Sequence, residues 1–98
     1  MKDILANLDK AFESRIRLGI MSVLMINDSA DFITLRELID VSDGNLASHL
    51  RTLEEAGYIS IEKRFINKKP NTSYSATPKG SEAFRNHLAN LEKLIYRQ

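Results

Sequence analysis

The side chains in this chain that lend themselves to chemistry are hydrogen-bonding groups and cations, not nucleophiles or metal ligands. Cysteine is absent, which removes disulfides, thiolate metal sites and thiol catalysis. His49 and His87 are the only histidines, and neither has carboxylate or thiolate company at ligand spacing, so no metal site is expected. There is no phosphate-binding glycine loop, no paired set of carboxylates and no histidine with a positioned acid, so neither an enzyme nor a cofactor is expected. What the sequence does offer is Asn45, Ser48, Arg51, Thr52 and Glu55, followed past Gly57 by Lys63, Arg64, Lys68 and Lys69. A long guanidinium among short amides and hydroxyls reaches base edges or phosphate oxygens, and clustered lysines supply the positive potential that a phosphate backbone feels.

Those residues need rigid elements beneath them, and Thr34–Tyr58, TLRELIDVSDGNLASHLRTLEEAGY, reads as two helices joined by a tight polar turn. Thr34 is expected to cap a short helix whose Leu35, Leu38 and Ile39 share a face at i, i+3, i+4. Val41-Ser42-Asp43-Gly44 interrupts it, and Ser42 or Asp43 offers the side-chain oxygen that a new helix start needs. The second helix, about 43–56, turns Leu46, Leu50 and Leu53 inward and stops at Gly57. Its polar face is left outward. A helix-turn-helix puts such a face into the DNA major groove, with residues near the helix N-terminus at the base edges. Asp43, Glu54 and Glu55 would oppose DNA if they faced it, so Glu54 and Glu55 are expected to point away.

Ahead of this pair, residues 2–12 predict a short amphipathic helix with Ile4, Leu5, Leu8 and Phe12 on one side. It needs a surface to lie on, because isolated helices under ~12–15 residues rarely hold in water. Ser14 begins a second helix, apolar around much of its circumference through Ile16, Leu18, Ile20, Val23, Leu24 and Ile26, and so the central one. Asn27-Asp28-Ser29 ends it, and Phe32-Ile33-Thr34 supplies a short edge strand. After Gly57 the period becomes two, with Ile59 and Ile61 on one side of a strand running to Ile66. Asn67-Lys68-Lys69-Pro70-Asn71 is a turn by composition, with Pro70 barring the ladder there, and Thr72–Ala76 returns as the second strand. Thr77-Pro78 opens the last helix, which runs to about Tyr96 with Phe84, Leu88, Leu91 and Ile95 spaced by 4, 3 and 4.

Hydrophobic content of 43% and charged content of 28% are those of a folded globular chain, and no repeat or low-complexity linker divides it, so residues 1–98 are read as one domain. The net charge of +1 says little, but its distribution is uneven: residues 35–57 hold two arginines against five acids, and residues 58–78 hold four cations against one acid. No apolar run approaches the ~18 residues of a membrane span and the N-terminus has no signal-peptide layout, so no membrane is expected and the expected location is the cytoplasm of a prokaryotic cell.

The order apolar helix, short strand, helix, turn, helix, hairpin is that of a winged helix-turn-helix domain, mostly α with a small β-hairpin, α-α-β-α-α-β-β-α. SDGNLASHLRTLEEAGYISIEKRF, then NKKPNTSYSATPKG, then the terminal amphipathic helix resemble the small stand-alone winged-helix transcriptional regulators near the MarR and ArsR groups, over roughly residues 12–98. HLRTLEEAGYI followed by a basic hairpin and TPKG is the specific combination. The resemblance implies that Asn45, Ser48 and Arg51 lie where recognition-helix residues meet the groove. It implies that Lys68 and Lys69 lie at a wing tip, about 66–71, that reaches a minor groove or phosphate. It implies that helices 2–10 and 78–97 pair two subunits. Similar wings carry Gly and an additional Arg at the tip; here Asn67 and Asn71 take those places, and Asn tolerates a left-handed turn.

The expectation is therefore a homodimeric, sequence-specific regulator of transcription on double-stranded DNA, with a palindromic operator. Its candidate DNA contacts are Thr34, Ser42, Gly44, Asn45, Ser48, Arg51, Thr52, Lys63, Arg64, Lys68 and Lys69. Its candidate dimer contacts are Ile4, Leu8, Phe84, Leu88, Leu91 and Ile95. Blander roles stand beside these: a solvated helix face, wing cations that only keep an exposed hairpin from pairing with other chains, and an apolar stripe that packs on its own subunit. His49 is expected beside the helix-turn-helix core. His87 is expected beside Leu88 and Leu91 in the dimer seam, where acid would loosen the dimer by charging it. A small-molecule effector is not indicated; a pocket for one would lie at the subunit interface near Phe12, Phe84, Tyr96, Met21 and Met25, the two methionines reading as core. The alternative in another class is a winged helix used for protein–protein contact without specific DNA binding.

Overall fold

The computed structural model describes residues 1–96. In chain order it holds α1 (Lys2–Ala6), a 3₁₀ turn (Lys10–Phe12), α2 (Arg15–Ile26), β1 (Ala30–Asp31), α3 (Phe32–Ile39), α4 (Asp43–Glu55), β2 (Ile59–Ile66), β3 (Lys69–Ala76) and α5 (Pro78–Tyr96). This is the expected order of a winged helix, with the strands forming one antiparallel sheet, β1-β3-β2. The last helix was expected to reach residue 97, which lies outside the described residues.

The punctuation residues set the helix limits. Ser14 Oγ accepts from the Arg17 N–H, and Ser42 Oγ accepts from the Asn45 N–H, both at 3.3 Å. At the end of α4, Gly57 adopts φ +78°. Its N–H donates to Glu54 O and the Tyr58 N–H to Leu53 O, each at 2.9 Å, the paired closure of a Schellman motif. Thr77 Oγ1 accepts from the Gly80 N–H at 3.0 Å to start α5 and donates to Gly57 O at 2.7 Å, tying the end of α4 to the start of α5.

Three expectations are corrected. The cap of α3 is Asp31, not Thr34: Asp31 Oδ1 accepts from the Thr34 N–H at 2.8 Å, which puts the strand at Ala30–Asp31 and Phe32 already in the helix. That bond holds the Asp31 carboxyl below its ordinary range. The helix expected over 2–12 breaks after Ala6, because Asp9 offers its carboxylate to the Ala11 N–H at 2.9 Å and opens a separate 3₁₀ turn. The hairpin turn is two residues, Asn67 (φ 53°) and Lys68 (φ 66°), the double left-handed geometry of a type I′ turn. Pro70 therefore lies inside β3 opposite Phe65, next to the closing pair Ile66–Lys69. Antiparallel pairs alternate in bonding, so its missing N–H falls at a position that owes β2 no ladder bond.

The core is built from Ile20, Met21 and Leu24 of α2, Leu35 of α3, Leu46, Leu50 and Leu53 of α4, Ile59 and Tyr74 of the hairpin, and Phe12 and Phe84. Burying each leucine contributes about 1.5–3 kcal/mol, so truncation of fully buried Leu46 or Leu53 to alanine is the kind of change that would undo α4. Phe12 stacks on Tyr58 with centroids 5.5 Å apart and meets Phe84 edge-on at 5.3 Å. The 3₁₀ turn is thus clamped between the hairpin base and α5.

Candidate nucleic-acid interface

α4 sorts its side chains cleanly. Leu46, Leu50 and Leu53 are buried, while Gly44, Asn45, Ser48, Arg51 and Thr52 are exposed. Nothing lies within 4 Å of where a Cβ on Gly44 would sit, so the first turn of α4 is open to an incoming surface. Thr52 Oγ1 donates to Ser48 O at 3.2 Å, which engages its hydroxyl within the helix. The helix is fixed at its start by Arg36 of α3, whose Nη1 pairs with Asp43 Oδ1 at 2.9 Å. It is fixed in its middle by Arg17 of α2, whose Nη1 lies 3.0 Å from His49 Nδ1 while its Nε donates to Ala11 O at 2.7 Å. Burial, and then the charge of Arg17, push the His49 pKa down, so its ring is neutral at pH 7 and Nδ1 accepts. His49 does lie beside the helix-turn-helix core.

The hairpin presents two unlike faces. Ile59, Ile61, Lys63 and Phe65 alternate with Ser60, Glu62, Arg64 and Ile66 along β2. The first set faces α4: Arg51, Glu54, Ile61, Lys63 and Tyr74 line one cleft of about 210 Å³. Arg64, on the reverse face, pairs with Glu62 at 3.3 Å. That pair is solvated and contributes little to stability. Lys68 stands in the turn, and Lys69, opposite Ile66, shares the face of Arg64. The four wing cations therefore do not form one cluster, and Lys63 alone of them shares a cleft with Arg51. Glu54 was expected to point away, yet it lines that same cleft, where its charge adds to burial in raising the Tyr74 pKa.

A second cleft, of about 570 Å³, runs from α2 to the start of α4 and is lined by Arg15, Ile16, Ile39, Asp40, Val41, Ser42 and Asn45. It brings Arg15 beside two candidate contacts. Arg15 is not among the residues expected at the interface, because its helix declares itself by an apolar circumference, although a cation just after the Ser14 cap was there to be seen. Thr34 lines neither cleft.

The candidate dimer residues divide. Phe84 is 5% exposed and belongs to the subunit's own core, whereas Leu88 is 43% and Ile95 70% exposed. Leu91, Ile4 and Leu8 are half-buried, where α1 lies along α5. His87 is not in an exposed seam: it is buried, its Nδ1 accepts from the Asp9 N–H at 3.0 Å, and its ring lies 5.3 Å from that of Phe12. Met21 is core and Met25 packs against it. Among the described residues no cluster of His and acids could hold a metal ion, and no helix is long and apolar enough to cross a membrane.

Residues 16–95 match the model of a family described as winged helix DNA-binding domain. An uncharacterized protein of Methanocaldococcus jannaschii is 34% identical over 85 residues, 87% of this chain and 92% of that one. Among solved structures, a transcriptional regulator homologue from Pyrococcus horikoshii OT3 superposes with a TM-score of 0.84 at 32% identity, covering 96% of this chain and 91% of that one. A Salmonella typhimurium protein provisionally assigned as a transcriptional regulator gives a TM-score of 0.72 at 26% identity, covering 90% and 84%. At 20% and 16% identity, regulators of the MarR and ArsR families share the fold, with TM-scores of 0.65 and 0.60.

Proposed function

Because this chain belongs to the winged helix DNA-binding domain family, we propose that it is a single-domain regulator of transcription that binds double-stranded DNA as a homodimer. In this proposal α4 enters the major groove with Asn45, Ser48 and Arg51 at base edges, and Ser42 and Gly44 lie against the backbone. Lys63, Lys68 and Lys69 hold flanking phosphates or the adjacent minor groove, and Arg64 does so once released from Glu62. The observation that carries the proposal is the shared cleft: the cation on α4 and the cation at the base of the wing open to one side of the molecule. Leu88, Leu91 and Ile95, with Ile4 and Leu8 beside them, form the apolar stripe that pairs two chains. Two-fold pairing suits a palindromic site with half-sites ~34 Å apart.

The test is selection of bound duplexes from random DNA, followed by the salt dependence of binding to the winner. Lys68→Ala with Lys69→Ala should lower the log–log salt slope by about one unit for each phosphate no longer neutralised. Arg51→Ala should cost about 1–3 kcal/mol and relax one base position. Affinity that does not fall in either variant, even at low salt, would favour a winged helix that binds another protein.

A further inference from the structure

The outer half of the wing carries an apolar point that phosphate binding leaves without a role. Every residue from Glu62 to Pro70 is exposed, and Phe65 and Ile66 are 75% and 46% exposed. β1 pairs only with Ser73 and Tyr74, so beyond Thr72 the ribbon stands as two strands without a third. Phe65 has no ring partner among the described residues and contributes nothing to the core. Alternation along β2 puts it on the face of Ile61 and Lys63, so it extends the wall of the Arg51 cleft about 7 Å beyond Lys63. Its cross-strand neighbour on that face is Pro70.

The point made by Phe65 and Pro70 stands between Lys63 on its own face and Lys68 in the turn, with Arg64 and Lys69 on the reverse face of the ribbon. Cations thus lie on both sides of it, and that complements a polyanion that has an apolar interior. A duplex is such a body, with phosphates along the groove and stacked bases beneath. We propose that Phe65 is a wedge: when the wing enters the minor groove, its ring presses into a base step, unstacks it and bends the duplex. Side chains of this kind kink DNA by about 20–90° where they insert. Flexible pyrimidine–purine steps accept the distortion at least cost. An anionic bilayer has the same layering of charge over apolar matter, but it has no use for the exposed Asn45, Ser48 and Arg51 of α4, of which Arg51 opens into the cleft that the wing shares. The wedge rests on the DNA-binding proposal above and adds to it the way the wing is used.

The test uses the full chain on its selected duplex, with bend angle read by energy transfer between end labels. Phe65→Ala removes the wedge, and Phe65→Trp keeps it while introducing the chain's sole tryptophan. Wild type and Phe65→Trp should bend the duplex, and the tryptophan should be quenched and shielded from acrylamide on binding. Phe65→Ala should leave it nearly straight and bind about 10- to 100-fold more weakly, the weight of one base stack. Its salt slope should not change, because every phosphate-binding cation is still present. Since Phe65 is outside the core, the alanine variant should melt with the wild type. An unchanged bend with Phe65→Ala overturns the wedge alone. A tryptophan that responds to phosphatidylserine vesicles and not to the duplex assigns the point to membranes and overturns it too. Failure of the wild type to bind any duplex overturns the wedge and the DNA-binding proposal together.

Discussion

Tyr58 donates its phenol hydrogen to Asp9 Oδ2 at 2.5 Å, joining residues 49 positions apart. Asp9 also accepts from the Ala11 N–H and donates its own N–H to His87. One carboxylate-bearing residue thus binds the base of the wing, the 3₁₀ turn and α5 into a single frame, with Phe12 stacked on Tyr58 inside it. The proton is held firmly: the bond to Asp9, then burial, then the charge of Asp9 push the Tyr58 pKa up to about 12. A pKa raised on folding stabilises the fold fully below the ordinary phenol value of ~10 and loses that contribution as pH rises from there through the folded value. Urea denaturation should show wild-type stability falling between pH 10 and 12. Tyr58→Phe should cost about 1–3 kcal/mol at pH 7, and its deficit should shrink across that window. A deficit that is constant with pH would mean the hydrogen bond is not what couples the two residues.

Gly80 of α5 marks where the last helix meets the hairpin base. A Cβ there would sit 2.0 Å from Tyr58 O, a carbonyl already committed to the Thr77 N–H at 3.0 Å. The obstacle is backbone and cannot rotate away, so Gly80→Ala should exceed the usual overpacking cost of about 1–3 kcal/mol, or prevent folding. Gly19, inside α2, is the contrast: its Cβ would meet only Ile39, with Cγ1 at 3.8 Å, an ordinary contact. Gly19→Ala should therefore raise the melting temperature, alanine being better in a helix interior by up to about 1 kcal/mol. Equal melting temperatures for the two variants would show that α5 has room to shift.

Much of this frame was legible in the residues, because spacing carries burial. Leu46, Leu50 and Leu53 at 4 and 3, the Ser42 cap, the Gly57 stop and the Thr77-Pro78 start needed no tertiary knowledge. What failed was decided by partners far along the chain. Asp31 and Thr34 are both good caps, and only the pairing of Ala30 with Tyr74 and Asp31 with Ser73 selects the first. Phe84 keeps the 4-3-4 period of a seam, but period cannot distinguish a partner's surface from Phe12 of the same subunit. His87 went with it, since its acceptor role depends on a 3₁₀ turn that an uninterrupted helix would have abolished. Glu54 is a different kind of miss: it follows Arg51 by three residues, so the two share a helix face, and that much was readable.

Gly44 separates stability from recognition. It lies in the exposed first turn of α4 with open space beside it, so a methyl group meets nothing in the free protein. Gly44→Ala should leave the fold as stable or raise it by up to about 1 kcal/mol, through lower backbone freedom in the unfolded chain. If that turn lies against a groove wall as proposed, the same methyl should weaken duplex binding by about 10-fold, equivalent to roughly 1.4 kcal/mol. Thermal melts and a binding isotherm on one preparation check both halves. A higher melting temperature with undiminished affinity would move the DNA surface off the start of α4.

Glu54 places a negative charge in the cleft where Arg51 and Lys63 are proposed to meet phosphate. It lowers the local potential there without pairing to either cation within salt-bridge distance among the described residues. Glu54→Gln keeps the shape and the helix, so it should tighten duplex binding by roughly 2- to 5-fold at low salt, a gain that fades as the Debye length shrinks toward ~8 Å at physiological ionic strength. The Tyr74 phenol should titrate nearer its ordinary value, although burial, the larger cause of its shift, remains. Glu82→Gln is the control, since Glu82 is exposed on α5, off the α4 face, and lines neither cleft. Removing its charge should change affinity less. Equal gains from the two substitutions would mean that only the overall charge of the chain matters, and the cleft between α4 and the wing would lose its claim to the DNA.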